Sequence, residues 1–479
     1  MKKAIICKSE KNSFADLAYV SVFSAAALIF LYAAFSDYTK VLFEECLIIP
    51  CALFWGAILE RKGSRINKKS LILPGAMVVW FLLLQIRRGM ELSDTDNIGL
   101  FIATYLFSYP LASVLLDREK VGLKIFAAAY LAAAAVLSFL GLILVFDFLP
   151  ASLSQHIYWD GPRIYLFWHS NVAATLLMIG IVFCSAFLGQ AKQLSSKIAF
   201  LVLLALMIGI QALTNCRTAI ILTGGYLGAT LFFALIKRGR KWFLPGVLAV
   251  LVVTVAFFEG AGYLYQMNND ILVNQYIRQQ SEQTSHGEES QSQETEETIP
   301  VRVNAETGEV SLITESAQGS ILSDLGTLNS RTRIWSAALY AIRETPSILY
   351  WGMPNPGWYV SYYLDFEIAH LHNAWLQAFV GMGLIGFLIT VLFTLTTVWN
   401  CLIVLIRYNG DAWKRSVAIL SLCLMAAGML EPYLFYTSGQ YHLTDLLFFL
   451  CAGYLAYWQE EDNRRILAAI RSRIPFLKK

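Results

Sequence analysis

The sequence predicts an all-α polytopic membrane protein with about twelve transmembrane helices and one large extracytoplasmic loop between helices 9 and 10. Two observations, one on overall composition and one on the apolar segments along the chain, lead to this fold class. The mean hydropathy is +0.55, and 57% of the 479 residues are hydrophobic while only 15% are charged. Apolar segments of spanning length also recur along the chain, since a spanning helix needs about 20 apolar residues.

The spans follow from these apolar segments in chain order. They are predicted at 15–35, 41–59, 70–86, 98–116, 121–146, 172–189, 198–213, 219–236, 244–258, 374–399, 416–430 and 444–458. The N-terminal MKKAIICKSEKN resembles the basic region of a signal sequence. Its apolar part is too long and no small-residue cleavage site follows, so we expect an uncleaved first helix.

Charge asymmetry orients the predicted bundle. With the N-terminus inside the cell, cytoplasmic segments carry 27 of the 37 Lys and Arg residues. Exterior segments carry 10, five of them in the long loop, which the positive-inside rule does not count. The predicted divisions are 1–258 with spans 1–9, the extracytoplasmic loop 259–373, spans 10–12 in 374–458, and a basic cytoplasmic tail at 459–479.

The long exterior loop divides into three parts. Residues 281–298 are acidic and of low complexity, which predicts disorder. IPVRVN and EVSLIT flank AETG, a pattern that predicts a β-hairpin. Helical periodicity then begins at Arg331, and Pro346 follows. An amphipathic helix is therefore predicted at 331–345, lying on the membrane or capping the bundle.

Other kinds of site find little support in the sequence. The eight cysteines give no exterior pair and no Cys/His spacing typical of zinc, so we expect neither a disulfide framework nor a metal site. No cofactor is expected. The net charge is +3, and no basic patch interleaved with aromatic residues indicates a nucleic-acid partner. Basic residues on the cytoplasmic face instead suit anionic membrane lipid.

Arginines near predicted helix ends are candidate anion ligands. Arg217, in LTNCRTAII, lies between two apolar spans at the exterior edge. Its guanidinium could hold phosphate oxygens or lie among lipid headgroups. Arg331 and Arg333 stand two apart on the predicted amphipathic helix and point to different faces, so one of them is expected to enter a site. Trp335 follows Arg331 by four residues.

Histidine and asparagine side chains stand where exterior loops enter spans. His372, with His370 and Asn373 beside it, precedes span 10. A histidine there could take a proton from a hydroxyl nucleophile or be an interfacial residue bonded to backbone. Arg163 and Asn171, in the segment RIYLFWHSN, lead into span 6 and could line a cleft or cap a helix.

These segments together resemble the O-antigen ligase/O-antigen polymerase superfamily of bacterial membrane glycosyltransferases. The pattern RTRIW…ALYAIRETPSILYWGM…HLHNAWLQAFVGMGLIGFL is similar to the family's signature region. TNCRTAIILTGG resembles its (Ser/Asn)-x-Arg turn, and RIYLFWHSNVAATLL its Asn-led sixth span. The resemblance covers the C-terminal two-thirds of the chain. The acidic insertion at 281–298 and the turn YWGMPNPG depart from the pattern.

The resemblance implies metal-independent glycosyl transfer at the outer face of the bacterial cytoplasmic membrane. The donor would be a glycan on undecaprenyl diphosphate, and the acceptor a hydroxyl of another glycan or glycolipid. It implies catalytic roles for His372 as general base and for Arg217 and Arg331 as ligands of the diphosphate. Substrate contacts are expected from Arg333, His370, Asn373, Arg163, Asn171 and Trp335.

Two other classes of function remain as alternatives at this point. A lipid-linked glycan flippase or other transporter would be expected to have repeated halves and charges at mid-membrane, and the sequence shows neither. A non-catalytic assembly protein of polysaccharide export could use the exterior loop as a docking surface.

Overall fold

The computed structural model shows a predominantly helical chain. It describes residues 71–89, 105–106, 109–110, 121–148, 153, 157–160, 163–166, 170–285, 301–303, 310–312, 325–407, 411–432, 434–435 and 444–458. The helices in this part of the chain are α1 Ile72–Arg87, α2 Val121–Val145, α3 Ser170–Leu188, α4 Leu194–Leu213, α5 Arg217–Ile236, α6 Phe243–Ser285, α7 Leu325–Glu344, α8 Ser347–Trp351, α9 Pro356–Ser361, α10 Ala374–Arg407, α11 Ala412–Gly428 and α12 Thr444–Trp458.

Nine of the predicted spans coincide with helices. Among the described residues, five helices are long and apolar enough to cross a membrane, namely α3, α4, α5, the Phe243–Asn274 part of α6, and α10. The protein is therefore a multi-pass membrane protein. The predicted spans 15–35 and 41–59 lie outside the described residues, as does 98–116 except for four positions.

The buried core lies between the spanning helices. It joins α1, α2, α3, α10, α11 and α12, with aromatic contacts such as the ring pair Phe393–Phe449 at 4.8 Å. α5 packs along α6 through Gly224 and Gly228, a small-xxx-small pair that lets helix backbones approach. A Cβ at Gly228 would lie only 2.8 Å from Val250 Cα. This close contact positions α6 beside the turn that joins α4 to α5.

Two antiparallel strand pairs lie outside the helices. β1 Ile157–Asp160 pairs with β2 Arg163–Leu166, with Asp160 opposite Arg163. This hairpin is not predicted from the sequence, although Asp-Gly between alternating residues is a turn signal. β3 Val301–Val303 pairs with β4 Val310–Leu312, where the hairpin flanking AETG is predicted.

Two helices in the predicted exterior loop differ from expectation. α6 continues to Ser285, so residues 281–285 of the segment predicted to be disordered are helical, and 286–298 lie outside the described residues. A run rich in Gln, Glu and Arg has good helix propensity once an upstream helix has nucleated it. The amphipathic helix predicted at 331–345 begins earlier, at Leu325, and ends at Glu344.

Candidate active site

The span predicted at 374–399 is broken, which corrects the sequence prediction. Gly383 has φ 68° and ψ −173°, so α10 consists of a short segment, Ala374–Met382, and a long one, Leu384–Arg407. Trp375 Nε1 donates to Thr394 Oγ1 at 3.2 Å, and the Phe379 and Phe387 rings lie 5.0 Å apart. Because these partners stand on either side of Gly383, the two segments run antiparallel. We call Ala374–Met382 the half-helix; its nine residues span about 13 Å.

The C-terminal end of the half-helix is held by its neighbours. Arg88 Nη2 donates to the Gly381 carbonyl at 2.7 Å, and Trp80 Nε1 donates to the Met382 carbonyl at 2.8 Å. Met353 N donates to the Val380 carbonyl at 2.7 Å. These bonds satisfy carbonyl groups that a helix end would otherwise leave without partners. Fixing this end of the half-helix also fixes its other end, at Ala374, which follows the loop that carries His372.

The glycine at the break is predicted to be intolerant of a side chain. A Cβ at Gly383 would lie 2.5 Å from the Tyr350 carbonyl oxygen, and its positive φ disfavours other residues. Gly383→Ala should therefore lower the free energy of unfolding of the detergent-solubilised protein by about 1–3 kcal/mol, seen as a lower melting temperature. It should also reduce activity. Gly225→Ala is the matched control, because no atom lies within 4 Å of its added Cβ. Equal melting temperatures for the two variants would contradict the assigned break.

The loop that enters the half-helix carries His372 in a constrained conformation. His372 has φ 49°, a left-handed value that few residues other than Gly, Asn, Asp and His adopt. Its neighbour Leu371 donates its N–H to Gln377 Oε1 at 3.0 Å, and its carbonyl accepts from Trp335 Nε1 at 3.0 Å. Asn373 Oδ1 accepts from Leu376 N at 2.9 Å and so caps the half-helix.

Glu431 is the centre of the candidate site. Its side chain is only 1% exposed. Arg331 Nη2 lies 2.8 Å from Oε1, and Asn171 Nδ2 donates to the same oxygen at 3.3 Å. His372 Nδ1 lies 3.3 Å from Oε2. One buried carboxylate therefore joins three side chains, from α3, from α7 and from the loop before α10.

The carboxylate of Glu431 is held in its ionised form. Burial acts to raise its pKa, but the hydrogen bond from His372 and the charges of His372, Arg331 and His370 outweigh burial, so the pKa is lowered from 4.5. A buried carboxylate with such partners keeps its charge at neutral pH. It can therefore accept a hydrogen bond from one imidazole nitrogen and stabilise a positive charge on that ring.

This contact sets the chemistry open to His372. When Nδ1–H donates to the carboxylate, the lone pair on Nε2 remains available to take a proton. The His372 side chain is 28% exposed, so a substrate can reach it. The His370 ring packs edge-on against it with centroids 4.2 Å apart. A histidine oriented by a carboxylate is the arrangement that general-base catalysis uses.

Arg217 and Arg163 lie near the turn between α4 and α5. Cys216, the residue before α5, is 3% exposed and interacts electrostatically with Glu431, Arg331 and Arg163. Arg217 is the first residue of α5, and its charge acts on Tyr265 of α6 together with that of Arg163. Positive charge thus extends from Arg331 to the turn between α4 and α5.

Arg333 and Trp335 take other directions on α7. Arg333 pairs with Asp365 and lies 5.4 Å from the centre of the Phe366 ring, in an exposed position. Arg331 and Arg333 therefore point to different partners, as the two-residue spacing predicts. The indole N–H of Trp335 bonds the backbone of the His372 loop rather than pointing into open space.

Glu431, which bonds Arg331, Asn171 and His372, is not among the site residues predicted from the sequence. Its signal was an acidic residue directly after the apolar span predicted at 416–430. Such a residue near a helix end is also common as an ordinary interfacial charge.

Within the described residues, no group of three or more His, Cys, Asp or Glu side chains could hold a metal ion.

Comparison with known proteins identifies part of the chain. A family model described as O-antigen ligase matches residues 201–391. The matched segment contains Arg217, Arg331 and His372, whereas Arg163, Asn171 and Glu431 lie outside it. A search of curated proteins found no match to this chain.

Proposed function

We propose that this membrane protein, whose residues 201–391 match the O-antigen ligase family model, is an enzyme of that superfamily and transfers a glycan from undecaprenyl diphosphate to a hydroxyl of an acceptor glycan or glycolipid. The observation that carries the proposal is the buried Glu431 carboxylate bonded to both His372 and Arg331. It places a proton acceptor beside a fixed cation, and these are the two groups that the reaction needs.

The proposed reaction is a single displacement at the anomeric carbon of the donor. His372 Nε2 takes the proton of the acceptor hydroxyl as its oxygen forms the new glycosidic bond. The bond between the anomeric carbon and the diphosphate oxygen breaks, and its electron pair leaves with the diphosphate. One displacement inverts the anomeric configuration. General-base assistance of this kind contributes about 10²–10⁴-fold in rate.

The arginines stabilise the leaving group. Diphosphate leaves without protonation if its growing negative charge is stabilised, and arginines fixed in advance do this at little reorganisation cost. Arg331 is held in place by Glu431 and keeps further N–H groups for phosphate oxygens. Arg217, at the start of α5, supplies a second guanidinium. Asn171 orients the carboxylate, and Asn373 and Trp335 fix the loop that bears His372.

The proposed setting is the outer face of the bacterial cytoplasmic membrane. The positive-inside bias of the sequence supports this orientation. The starts of α3 and α5 and the end of α11 bring Asn171, Arg217 and Glu431 to one end of the bundle, which we call the site end. The acceptor decides between a ligase, which would glycosylate a lipid core, and a polymerase, which would extend a lipid-linked glycan.

Reconstitution tests the proposed function directly. Purified protein in nanodiscs should transfer a radiolabelled glycan from its undecaprenyl diphosphate carrier to a hydroxyl acceptor, with inversion at the anomeric carbon. Candidate lipid-core and lipid-linked acceptors should be supplied in separate reactions. Failure to transfer with either class, by a protein that remains folded and monodisperse, would contradict the proposal. Movement of the intact lipid-linked glycan across a bilayer without transfer would support a flippase instead.

A further inference from the structure

The outer part of α6 carries a stripe of buried residues that the proposed mechanism does not use. In the most apolar stretch of Phe243–Asn274, only 6% of the residues are buried inside the protein, so most of this helix faces lipid. Near the site end, Ala261, Tyr265 and Asn268 are 6%, 7% and 8% exposed. Their spacing of four and three residues places them on one face of the helix.

This face changes from apolar to polar at the level of the α4–α5 turn. Ala261 packs against Ala212 and Ile220, the apolar residues on either side of the turn. Tyr265 follows one turn later and lies close enough to Arg163 and Asn215 to interact with their side chains. It also experiences the charge of Arg217. The polar part of the stripe therefore faces two arginines and the start of α5.

The two polar groups of the stripe have unmet donors. Within the described part of the chain, the Asn268 amide nitrogen has no hydrogen-bond partner. Arg163 and Asn215 approach the Tyr265 oxygen as donors, and none of the described residues accepts the hydroxyl hydrogen. A buried polar group without a partner costs about 1–3 kcal/mol. The start of α5 adds to this set of donors, because its N-cap residue, Cys216, makes no side-chain cap hydrogen bond. A buried polar group without a partner calls for an explanation, and a bound ion or ligand that satisfies it is one.

The chemistry of these groups selects an anion with several acceptor oxygens. The hydroxyl, the amide N–H groups, two guanidinium groups and the first N–H groups of a helix are all donors or cations. A phosphate group offers three strong acceptor oxygens and suits both guanidinium groups and helix N-termini. A sugar hydroxyl would require acceptors as well as donors.

The depth of the stripe matches the phosphate level of a membrane. Tyr265 stands 22 residues after Phe243, which is about 33 Å along a helix. The hydrocarbon core of a bilayer is about 30 Å thick. Tyr265 and Asn268 therefore lie at the headgroup level opposite Phe243. Because α6 is exposed to lipid on its other faces, a lipid-borne phosphate can approach along it.

We propose that Tyr265 and Asn268 on α6 form, with Arg163 and Arg217, a subsite that binds a phosphate group of the polyprenyl diphosphate carrier. The identity of the carrier rests on the proposed function. Cys216 connects the subsite to the candidate active site, because it interacts electrostatically with both Arg163 and Arg331. The subsite would therefore bind the carrier's phosphate while the sugar end faces the catalytic histidine.

Binding of the carrier without its glycan tests this subsite. Undecaprenyl diphosphate should be titrated into wild-type protein and into Tyr265→Phe and Asn268→Leu variants, all in phosphatidylcholine nanodiscs. Loss of one hydrogen bond to a charged group should weaken binding by at least about 10-fold. Tyr263→Phe is the matched control, since Tyr263 lies two residues away and is 68% exposed. It should bind like wild type.

Thermal stability distinguishes a ligand-binding role from a structural one. Removing the unpartnered buried amide should leave the ligand-free Asn268→Leu variant as stable as wild type or more stable, while the rise in melting temperature with added carrier shrinks. A structural role would instead lower the melting temperature without ligand. That result, or carrier binding within twofold of wild type in both variants, would overturn the inference.

One further comparison distinguishes the carrier's phosphate from that of ordinary lipid headgroups. A second distinguishes failure of the subsite from failure of the proposed glycan transfer. If phosphatidylglycerol in the nanodiscs abolishes carrier binding to wild type, the subsite recognises ordinary lipid headgroups and the inference fails. Unchanged carrier binding in phosphatidylglycerol supports it. Glycan transfer is assayed in parallel. A wild-type protein that binds carrier through Tyr265 but transfers nothing contradicts the proposed function and leaves the subsite standing.

Discussion

Replacing His372 with asparagine should abolish glycan transfer while leaving the protein folded. Asparagine accepts the left-handed backbone found at this position, where φ is 49°. The variant therefore removes the proton acceptor without adding backbone strain. Loss of a general base lowers the rate by about 10²–10⁴-fold. The measurement is initial-rate transfer in nanodiscs, with size-exclusion and melting profiles to confirm folding.

A second variant tests whether the missing group is an imidazole. His372→Gly also suits a positive φ and leaves space where the ring lay. Added imidazole should restore part of the activity of this variant and none of that of His372→Asn, whose side chain fills the space. Full activity in either variant without imidazole would remove His372 from the mechanism.

The spanning helices were predictable because hydropathy reports on the lipid environment directly. The helices at 72–87, 170–188 and 217–236 lie within about two residues of their predicted spans, since lipid demands a continuous apolar run with its backbone bonds satisfied internally. The arginines at the span ends were noticed for a related reason: a charge beside an apolar run is costly and therefore conspicuous.

The half-helix could not be predicted from the same signal. Residues 374–399 are uncharged and mostly apolar on both sides of Gly383, so hydropathy does not distinguish one spanning helix from a hairpin of two segments. The break depends on Gly383, on its contact with the Tyr350 carbonyl, and on the bonds from Arg88 and Trp80. These partners lie far away in the sequence, and nothing local to the span indicates them.

Glu431 shows the same limit at the level of the site. It lies 59 residues from His372 and 100 from Arg331 along the chain. The residue types of all three were visible in the sequence, but their convergence depends on the end of α11 meeting the start of the half-helix. The sequence suggested a phosphate site with a free histidine, and the structure adds the carboxylate that orients both partners.

Replacing Glu431 with glutamine should lower kcat strongly and leave the donor KM unchanged or reduced. The neutral amide cannot stabilise a protonated His372, so the rate should fall by a factor on the order of 10² or more. Removing one negative charge beside Arg331 makes the site more attractive to the anionic diphosphate. The measurement is steady-state transfer at varied donor concentration. A rise in donor KM with unchanged kcat would contradict the assigned role.

The same variant changes how stability depends on pH. The folded-state pKa of Glu431 is lowered below 4.5, so its ionisation stabilises the folded protein above that pH, and this stability is lost as pH falls through the lowered pKa. Wild type should therefore show a fall in melting temperature in this acid range that Glu431→Gln lacks. Parallel melting curves for the two proteins from pH 7 down to pH 3 would mean that Glu431 has no stabilising partners in the folded state. Because His372 and Arg331 both bond the carboxylate, we expect the curves to converge as Glu431 is protonated.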